Sequence, residues 1–441
     1  MQNIKKSLLI GGLASAMMLF APACNIDPIP NPNAPTISSL EEGASLDDLQ
    51  LLASGLESLL RFDMEYYYWT ISIVGREYYD LRGTDPRFTG ELVGAQGSPL
   101  DNNGFLTTRS WATQYRTIRN AIILTNATQK SRAGLTDAQK GGIIGFAKTL
   151  EAYHLLMILN RHKSCRLDVV DPNKLGPLVD YNTGLAGVAQ LLDEANTALN
   201  AAGPDLSIKL SSGFAGFDTP AGLSKFNRAL AARVAMYQGD KAKMKAALAA
   251  SFLDLAGGLD NGIYHIFGLG GNDERNPLFV VRDKEVYTVH PSWPGDAEAG
   301  DQRVSTKIRD FDPAEVTIPV SLDGLNGTQQ VAIFDDQLTP VAIIRNEELL
   351  LMYAEANIGS DNAAAAAAIN TVRNGAGLPN YSGATTDAAL LDEVVKQRRY
   401  SLFGEGHYWL DMRRLGRLDQ IPKDRAGDIV HEVFPIPLQE L

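Results

Sequence analysis

Hydrophobic and polar positions alternate along most of this chain with the period of a helix. In "LDDLQLLASGLESLLRF" the leucines at 46, 49, 52, 56, 59 and 60 fall at spacings of three and four, one helical face. "RSWATQYRTIRNAIILTNA" sets Trp111, Tyr115, Ile118 and Ile122 on one face. After a loop, "GIIGFAKTLEAYHLLMILNRH" repeats large and small apolar residues at the same spacing. "GVAQLLDEANTAL" and "SKFNRALAARVAMYQGDKAKMKAALAASFLD" predict three more helices, the stretch from Leu349 to Asn374 a pair, and "DAALLDEVVKQRRYSLFGEGHYWLDMRRLG" a final pair. The predicted fold class is all-α.

Several of these segments read as helix, short polar turn, helix. "ARVAMYQGDKAKMKAALAA" and "LMYAEANIGSDNAAAAAAIN" superpose with Gly239 on Gly359, each turn leading into an alanine-rich helix. Alanine has the lowest helix cost and little bulk, so such a helix lets its neighbours approach closely. That is the packing of tetratricopeptide-like hairpins, although the pairs here are scattered and not in strict tandem.

Two stretches break the period, about 61–110 and about 257–340. They are rich in Gly, Asn, Asp and aromatic residues, and they read as long loops, with small hairpin strands where strands occur. Tyr66, Tyr67, Tyr68 and Trp69 stand in a row and cannot all point inward on a helix or a strand, because neighbours diverge on both. Tyr78 and Tyr79 repeat the theme, and Trp293 in "HPSWPG" lies between prolines that argue against a helix. Exposed rings beside polar groups suit stacking on a sugar face or a peptide, the ring covering C–H surface while neighbours hydrogen-bond hydroxyls or amides. The candidate ligand-binding residues are therefore Tyr66, Trp69, Arg76, Tyr78, Tyr79, Asn102 and Trp293. The alternative is that these rings plug the loops onto the helical core.

Composition narrows the function. At 45% hydrophobic and 21% charged over 441 residues, the chain is globular, with length for one large core or a few domains. It has 40 basic and 52 acidic residues; Lys5 and Lys6 are the only charges in the first 23, which leaves −14 for the remainder. Such a surface repels phosphate backbones, which argues against nucleic acid as a partner.

Enzyme signatures are missing. The six histidines show no zinc spacing, and there is no Gly-x-Ser-x-Gly elbow or phosphate loop ending in Gly-Lys-Ser/Thr. No catalytic residue, metal ligand or cofactor is assigned, and the expectation is a protein that is not an enzyme. The Asp- and Asn-bearing loops lack the twelve-residue calcium ladder and read as solvated turns. A secreted glycan hydrolase stays open as an alternative, because paired carboxylates are a spatial feature.

Residues 1–23 carry Lys5 and Lys6, an apolar run from Leu8 to Phe20 and small residues before Cys24, the three-part pattern of a signal peptide. Cys24 is either the acylated cysteine of a bacterial lipoprotein or, in an oxidising compartment, a partner for Cys165, the only other cysteine. Residues 24–36, with four prolines, then form an extended tether carrying the lipid anchor at Cys24, and 37–441 the folded domain.

The C-terminal third carries a resemblance. "IIRNEELLLMYAEANIGSDNAAAAAAINTVRNGAGLP", followed by "VVKQRRYSLFGEGHYWLDMRRLGRL" and "VFPIPLQEL", resembles the SusD/RagB family of outer-membrane nutrient-binding lipoproteins. "GDQR" at 300–303 is similar to a short Asp-x-Arg of that family. The resemblance implies a SusD-like helical scaffold with tetratricopeptide-like hairpins and long decorating loops. It implies cell-surface capture of an oligosaccharide or peptide and delivery to a SusC-like TonB-dependent transporter, from a lipid-anchored position in the outer membrane. It also implies architectural roles for Glu348, Glu355, Arg373, Glu405, Asp411, Arg413 and Arg414, whose charges need partners near a helical core. A helical-repeat adaptor with no small ligand is the other reading.

Overall fold

Among the residues described by the computed structural model, 42–271 and 273–441, the helical period is realised as thirteen α-helices. The expected signal peptide at 1–23, the tether at 24–36 and its lipid-bearing Cys24 lie outside the described residues.

The first group of helices is α1 (Leu46–Leu59), α2 (Glu65–Val74), α3 (Phe105–Gln129), α4 (Asp137–His162), α5 (Tyr181–Ala201) and α6 (Pro220–Gln238). Local chemistry fixes several starts. Ser45 and Asp48 close a capping box at α1, Thr136 and Gln139 do the same at α4, and Thr219 caps α6 ahead of Pro220. α4 packs against α3, α5 and α6. It is long and apolar enough to cross a membrane by length and composition, yet most of its apolar window is buried inside the fold, as befits a central core helix. Where α4 meets α5, Gly145 leaves room for the neighbour: a Cβ there would lie 2.5 Å from Leu199 Cγ and 2.9 Å from the Ala195 carbonyl oxygen.

The second group is α7 (Lys241–Ala249), then α10 (Asn346–Asn357), α11 (Asn362–Gly375), α12 (Asp387–Ser401) and α13 (Tyr408–Arg414). Gly239 ends α6 in the left-handed conformation at φ 70°, and Gly359, φ 86°, turns the chain between α10 and α11. The alanine run forms the thin helix the sequence predicts. Ala365, Ala368, Ile369 and Val372 bury against Leu350, Leu351 and Ala354 of α10 and Leu390 and Val394 of α12, a second apolar core beside the main one.

Between the groups the chain makes short strands. β1 (Tyr78–Asp80), β5 (Tyr287–Val289), β9 (Gln329–Val331) and β6 (Ile308–Asp310) form an antiparallel sheet in the order β1-β5-β9-β6. Three two-stranded pairs complete the set: β2 (Ser164–Arg166) with β3 (Leu178–Asp180), β4 (Gly262–His265) with β10 (Val341–Arg345), and β7 (Val320–Leu322) with β8 (Leu325–Gly327). The remaining helices are short: α8 (Ser292–Gly295) and α9 (Gln302–Lys307). Cys165, on β2, is a buried free thiol, and burial pushes it up to about 12.

Most of the charges singled out near the C-terminus are paired. Arg233 holds both oxygens of Glu348 at 2.8 and 2.5 Å, Arg414 bridges Glu355 and Asp411, and Arg398 reaches Asp411 at 2.6 Å. Arg373 pairs with Glu298 and Glu393, and Arg345 with Glu347 and Glu405. Arg413 instead donates to the Glu432 carbonyl and lies over the Trp409 ring.

Two expectations change. Residues 65–74, placed among loops, form α2; Tyr67, Tyr68 and five residues from Thr70 to Val74 are buried, so the helix shows no amphipathic stripe. Trp293 sits in a single helical turn despite its prolines. Pro291 occupies the N-cap and Pro294 falls within the first turn, where a missing N–H costs nothing.

Candidate ligand-binding platform

On α2 the four consecutive aromatics divide as helical geometry requires. Tyr67 and Tyr68 point into the core, while Tyr66 and Trp69, three residues apart on one face, stay half-buried with ring centroids 6.3 Å apart. Phe105, the first residue of α3, extends the row: it stands edge-on to Tyr66 at 5.9 Å. At the other end Trp69 leans on Tyr287 of β5 at 5.1 Å. Trp69, Tyr66 and Phe105 thus form a strip of three half-buried rings.

Three arginines border the strip, each held by an aspartate. Arg82 lies 4.4 Å from the Tyr287 ring centre and 5.6 Å from that of Trp69. Arg109 lies 4.3 Å from Tyr66, donates to its hydroxyl at 2.8 Å and pairs with Asp63 at 2.8 Å. Arg87 lies 4.3 Å from Phe105. In Asp80-Leu-Arg82 and Asp85-Pro-Arg87 the arginine folds back on the aspartate two residues earlier. Its backbone N–H and Nε share one carboxylate oxygen and Nη2 takes the other, all at 2.6–3.1 Å. Asp301-Gln-Arg303 repeats the clasp on α9. Forked, charge-assisted bonds of this kind fix the plane of the guanidinium, so its orientation against the ring is set in advance.

The strip is braced from behind. Arg161, in the last turn of α4, is buried and donates to the carbonyls of Leu106 at 2.7 Å and Tyr66 at 3.4 Å, tying α2 to the start of α3. Phe434 lies 4.0 Å from its guanidinium, and the Phe434 N–H bonds the Arg161 carbonyl. Beside the strip, burial raises the Glu65 carboxyl to about 7.

The candidate residues separate by burial. Tyr66 and Trp69 are in the strip, and Asn102 is half-buried near its Phe105 end, its carbonyl accepting from Leu438 N–H at 3.0 Å. Four others pack the interior. Tyr78 stands edge-on between Tyr287 and Phe403, and Tyr79 packs on His290. Arg76 donates to Val93 O at 2.7 Å and faces Asp424, and Trp293, fully buried, lies 4.2 Å from Phe403. Their rings and guanidinium are used in packing, the second reading of the aromatic clusters. Phe105, Arg82, Arg87 and Arg109 escape sequence reasoning, although the repeated Asp-x-Arg was a legible signal. Among the described residues no group of three or more His, Cys, Asp or Glu is gathered as a metal ion requires.

Comparison with known proteins places this architecture. Residues 323–431 match the model of the SusD family. A SusD superfamily protein from Bacteroides vulgatus has 15% identity with a TM-score of 0.68, covering 90% of this chain and 96% of that one. A laminarin-binding SusD-like protein has 19% identity and a TM-score of 0.62, over 89% and 96% of the two chains. Surface glycan-binding protein A from Bacteroides uniformis has 14% identity and a TM-score of 0.62, over 88% and 91%. Sequence comparison with the curated proteins gave no match. Residues 323–431 thus match the SusD family model, and the chain has the fold of the SusD superfamily structures, a helical, tetratricopeptide-like scaffold.

Proposed function

We propose that this protein is a non-catalytic cell-surface receptor that captures an oligosaccharide on the Trp69–Tyr66–Phe105 strip and delivers it to a SusC-like TonB-dependent transporter. The observation that carries the reading is the strip itself: three half-buried rings in a row, edged by arginines locked in place. Flat rings supply apolar area for sugar C–H faces at low entropic cost, and the guanidinium N–H groups donate to hydroxyls. The similar laminarin-binding and glycan-binding structures support a glycan ahead of a peptide. Arg82, Arg87 and Arg109 are matched by Asp80, Asp85 and Asp63, so the strip offers no surplus positive charge and suits an uncharged glycan.

The match of residues 323–431 to the SusD family model supports a lipid-anchored position at the outer membrane, with Cys24 as the acylated residue. Palmitate labelling of the wild type and of Cys24→Ala tests the anchor, and co-purification from membranes tests the transporter.

Isothermal titration against a panel of neutral oligosaccharides, laminarin fragments included, tests the site. The wild type should bind at least one, and Trp69→Ala and Tyr66→Ala should each weaken it by about 1–3 kcal/mol, as expected for losing a stacked ring. Binding unchanged in both variants, or no binding to any glycan, would overturn the reading. Release of shortened products during incubation would favour a hydrolase.

A further inference from the structure

A second concave site shares no residue with the strip. It is a cavity of about 370 Å³ between α1, the 209–214 segment and the chain leaving β4. That volume is at the small end of ligand pockets, suited to one sugar-sized molecule rather than a chain.

The walls are built. The Gln50 side chain clips the 209–211 segment to α1, donating to Lys209 O at 2.9 Å and accepting from Lys209 N–H at 2.7 Å. Glu57 accepts the Ser211 N–H at 3.0 Å. Arg61 closes the far end, donating to Ile266 O at 2.7 Å and pairing with Asp273 at 2.5 Å. These contacts join α1 to segments some 150–210 residues away, so the cavity's shape is held without a ligand.

The lining is amphipathic. Leu60 and Phe214 give an apolar floor, while Glu57, the hydroxyls of Ser54 and Ser58, and His265 bring acceptors and donors to the same space. His265 is 3% exposed, and its Nδ1 has no hydrogen-bond partner, an unusual condition for a buried imidazole nitrogen. Burial drives His265 to about 3, so its imidazole is neutral, and raises Glu57 above its ordinary range. Two carboxylates, Glu57 and Asp273, and two cations, Arg61 and Lys209, line the cavity, so it carries no net charge and suits a neutral guest.

We infer that this cavity is a second binding site, for a single neutral hexose-sized polyol whose hydroxyls bond Glu57 and the His265 side while its C–H face rests on Leu60 and Phe214. The inference does not rest on the strip binding glycan.

The test uses the folded chain with glucose, galactose and mannose, followed by thermal shift and titration calorimetry. At least one hexose should bind saturably in the millimolar range. Glu57→Gln, which keeps an acceptor for Ser211 but removes the carboxylate, should weaken it at least fivefold. Ser54→Trp, on the exposed edge of α1, should close the mouth and abolish it, whereas Trp69→Ala should leave it unchanged. The proposal fails if no hexose binds saturably, if binding survives both cavity variants, or if it disappears in Trp69→Ala, which would put the sugar on the strip. Should Ser54→Trp lose its fold by circular dichroism, Glu57→Gln alone decides.

Discussion

Arg82 grips Asp80 through Nε and Nη2 at 2.9 and 2.7 Å while its guanidinium lies 4.4 Å from the centre of Tyr287, the residue that faces Asp80 across the β1–β5 pair. One carboxylate therefore sets the angle of a cation against the aromatic end of the strip. Asp80 is buried and Arg82 is 22% exposed, so the pair works mainly by orientation. Asp80→Asn should lower glycan affinity about 3- to 10-fold by calorimetry, with a stability loss of about 1 kcal/mol. Arg82→Lys keeps the charge and loses the fork, and the same loss of affinity is expected.

The Arg398–Asp411 pair works differently, because both side chains are 1% exposed. Breaking such a pair leaves a charge buried without its counter-ion. Asp411→Asn should cost about 3–5 kcal/mol in urea unfolding, and Arg398→Met with Asp411→Leu together less than either change alone. An Asp411→Asn variant within 1 kcal/mol of wild type, a margin set by ordinary surface changes, would show the pair is not the lock between α12 and α13.

The scaffold was legible because its signals are local or periodic. The leucine stripe of α1, the alanine run of α11 and the Gly239 and Gly359 turns each announce an element within a few residues. The platform was only half legible. That Tyr66–Trp69 must diverge follows from backbone geometry, but which two face outward depends on what packs beneath α2, and Arg161 and Phe434 come from distant sequence. Tyr78, Tyr79 and Trp293 look like binding aromatics because an aromatic count carries no information about burial. Only the pairing of β1 with β5 and the packing of α8 on α12 bury them. The Asp-x-Arg clasps were open to sequence reasoning, since aspartate and arginine two apart can fold into a fork without any tertiary contact.

Trp293 accordingly belongs to stability. Trp293→Ala removes a fully buried ring packed on Phe403 and Tyr400 and should cost about 3–5 kcal/mol, with glycan affinity unchanged at a temperature where the variant stays folded. A selective loss of binding at full stability would return this residue to the ligand site.

Gly145 permits the close crossing of α4 and α5. Gly145→Ala would push a methyl against Leu199 and the Ala195 carbonyl, and should destabilise by about 1–3 kcal/mol although alanine is the better helix former. Gly203→Ala, where no atom lies within 4 Å of the added carbon, should change stability by less than about 1 kcal/mol. Equal thermal melts for the two variants would remove close packing as the reason for glycine at 145.

Glu77 makes stability depend on pH. Burial raises its carboxyl from an ordinary 4.5 to about 7, while Oε1 accepts the Gly404 N–H at 3.1 Å. The folded chain then binds this proton more tightly than the unfolded chain, so its contribution is full below 4.5 and is lost as pH rises through about 7. Glu65 and Glu151, raised by burial to about 7, act with the same sign. Glu348 runs the other way: burial pushes it up, but Arg233 and His407 together bring it down to about 2, so its contribution fades only as pH falls below 4.5. Buried histidines oppose the three carboxyls below pH 6.5: burial holds His154, His162 and His265 at about 3 and His407 at about 4, so the unfolded chain takes up their protons first and stability rises toward their ordinary 6.5. The melting temperature should therefore rise from pH 5 to about 6.5 and fall from there to pH 8. Glu77→Gln keeps the acceptor for Gly404 without a titrating proton, so it should flatten part of that slope and melt higher than wild type at pH 8. Parallel curves for the two proteins would mean that Glu77 stays ionised in the fold.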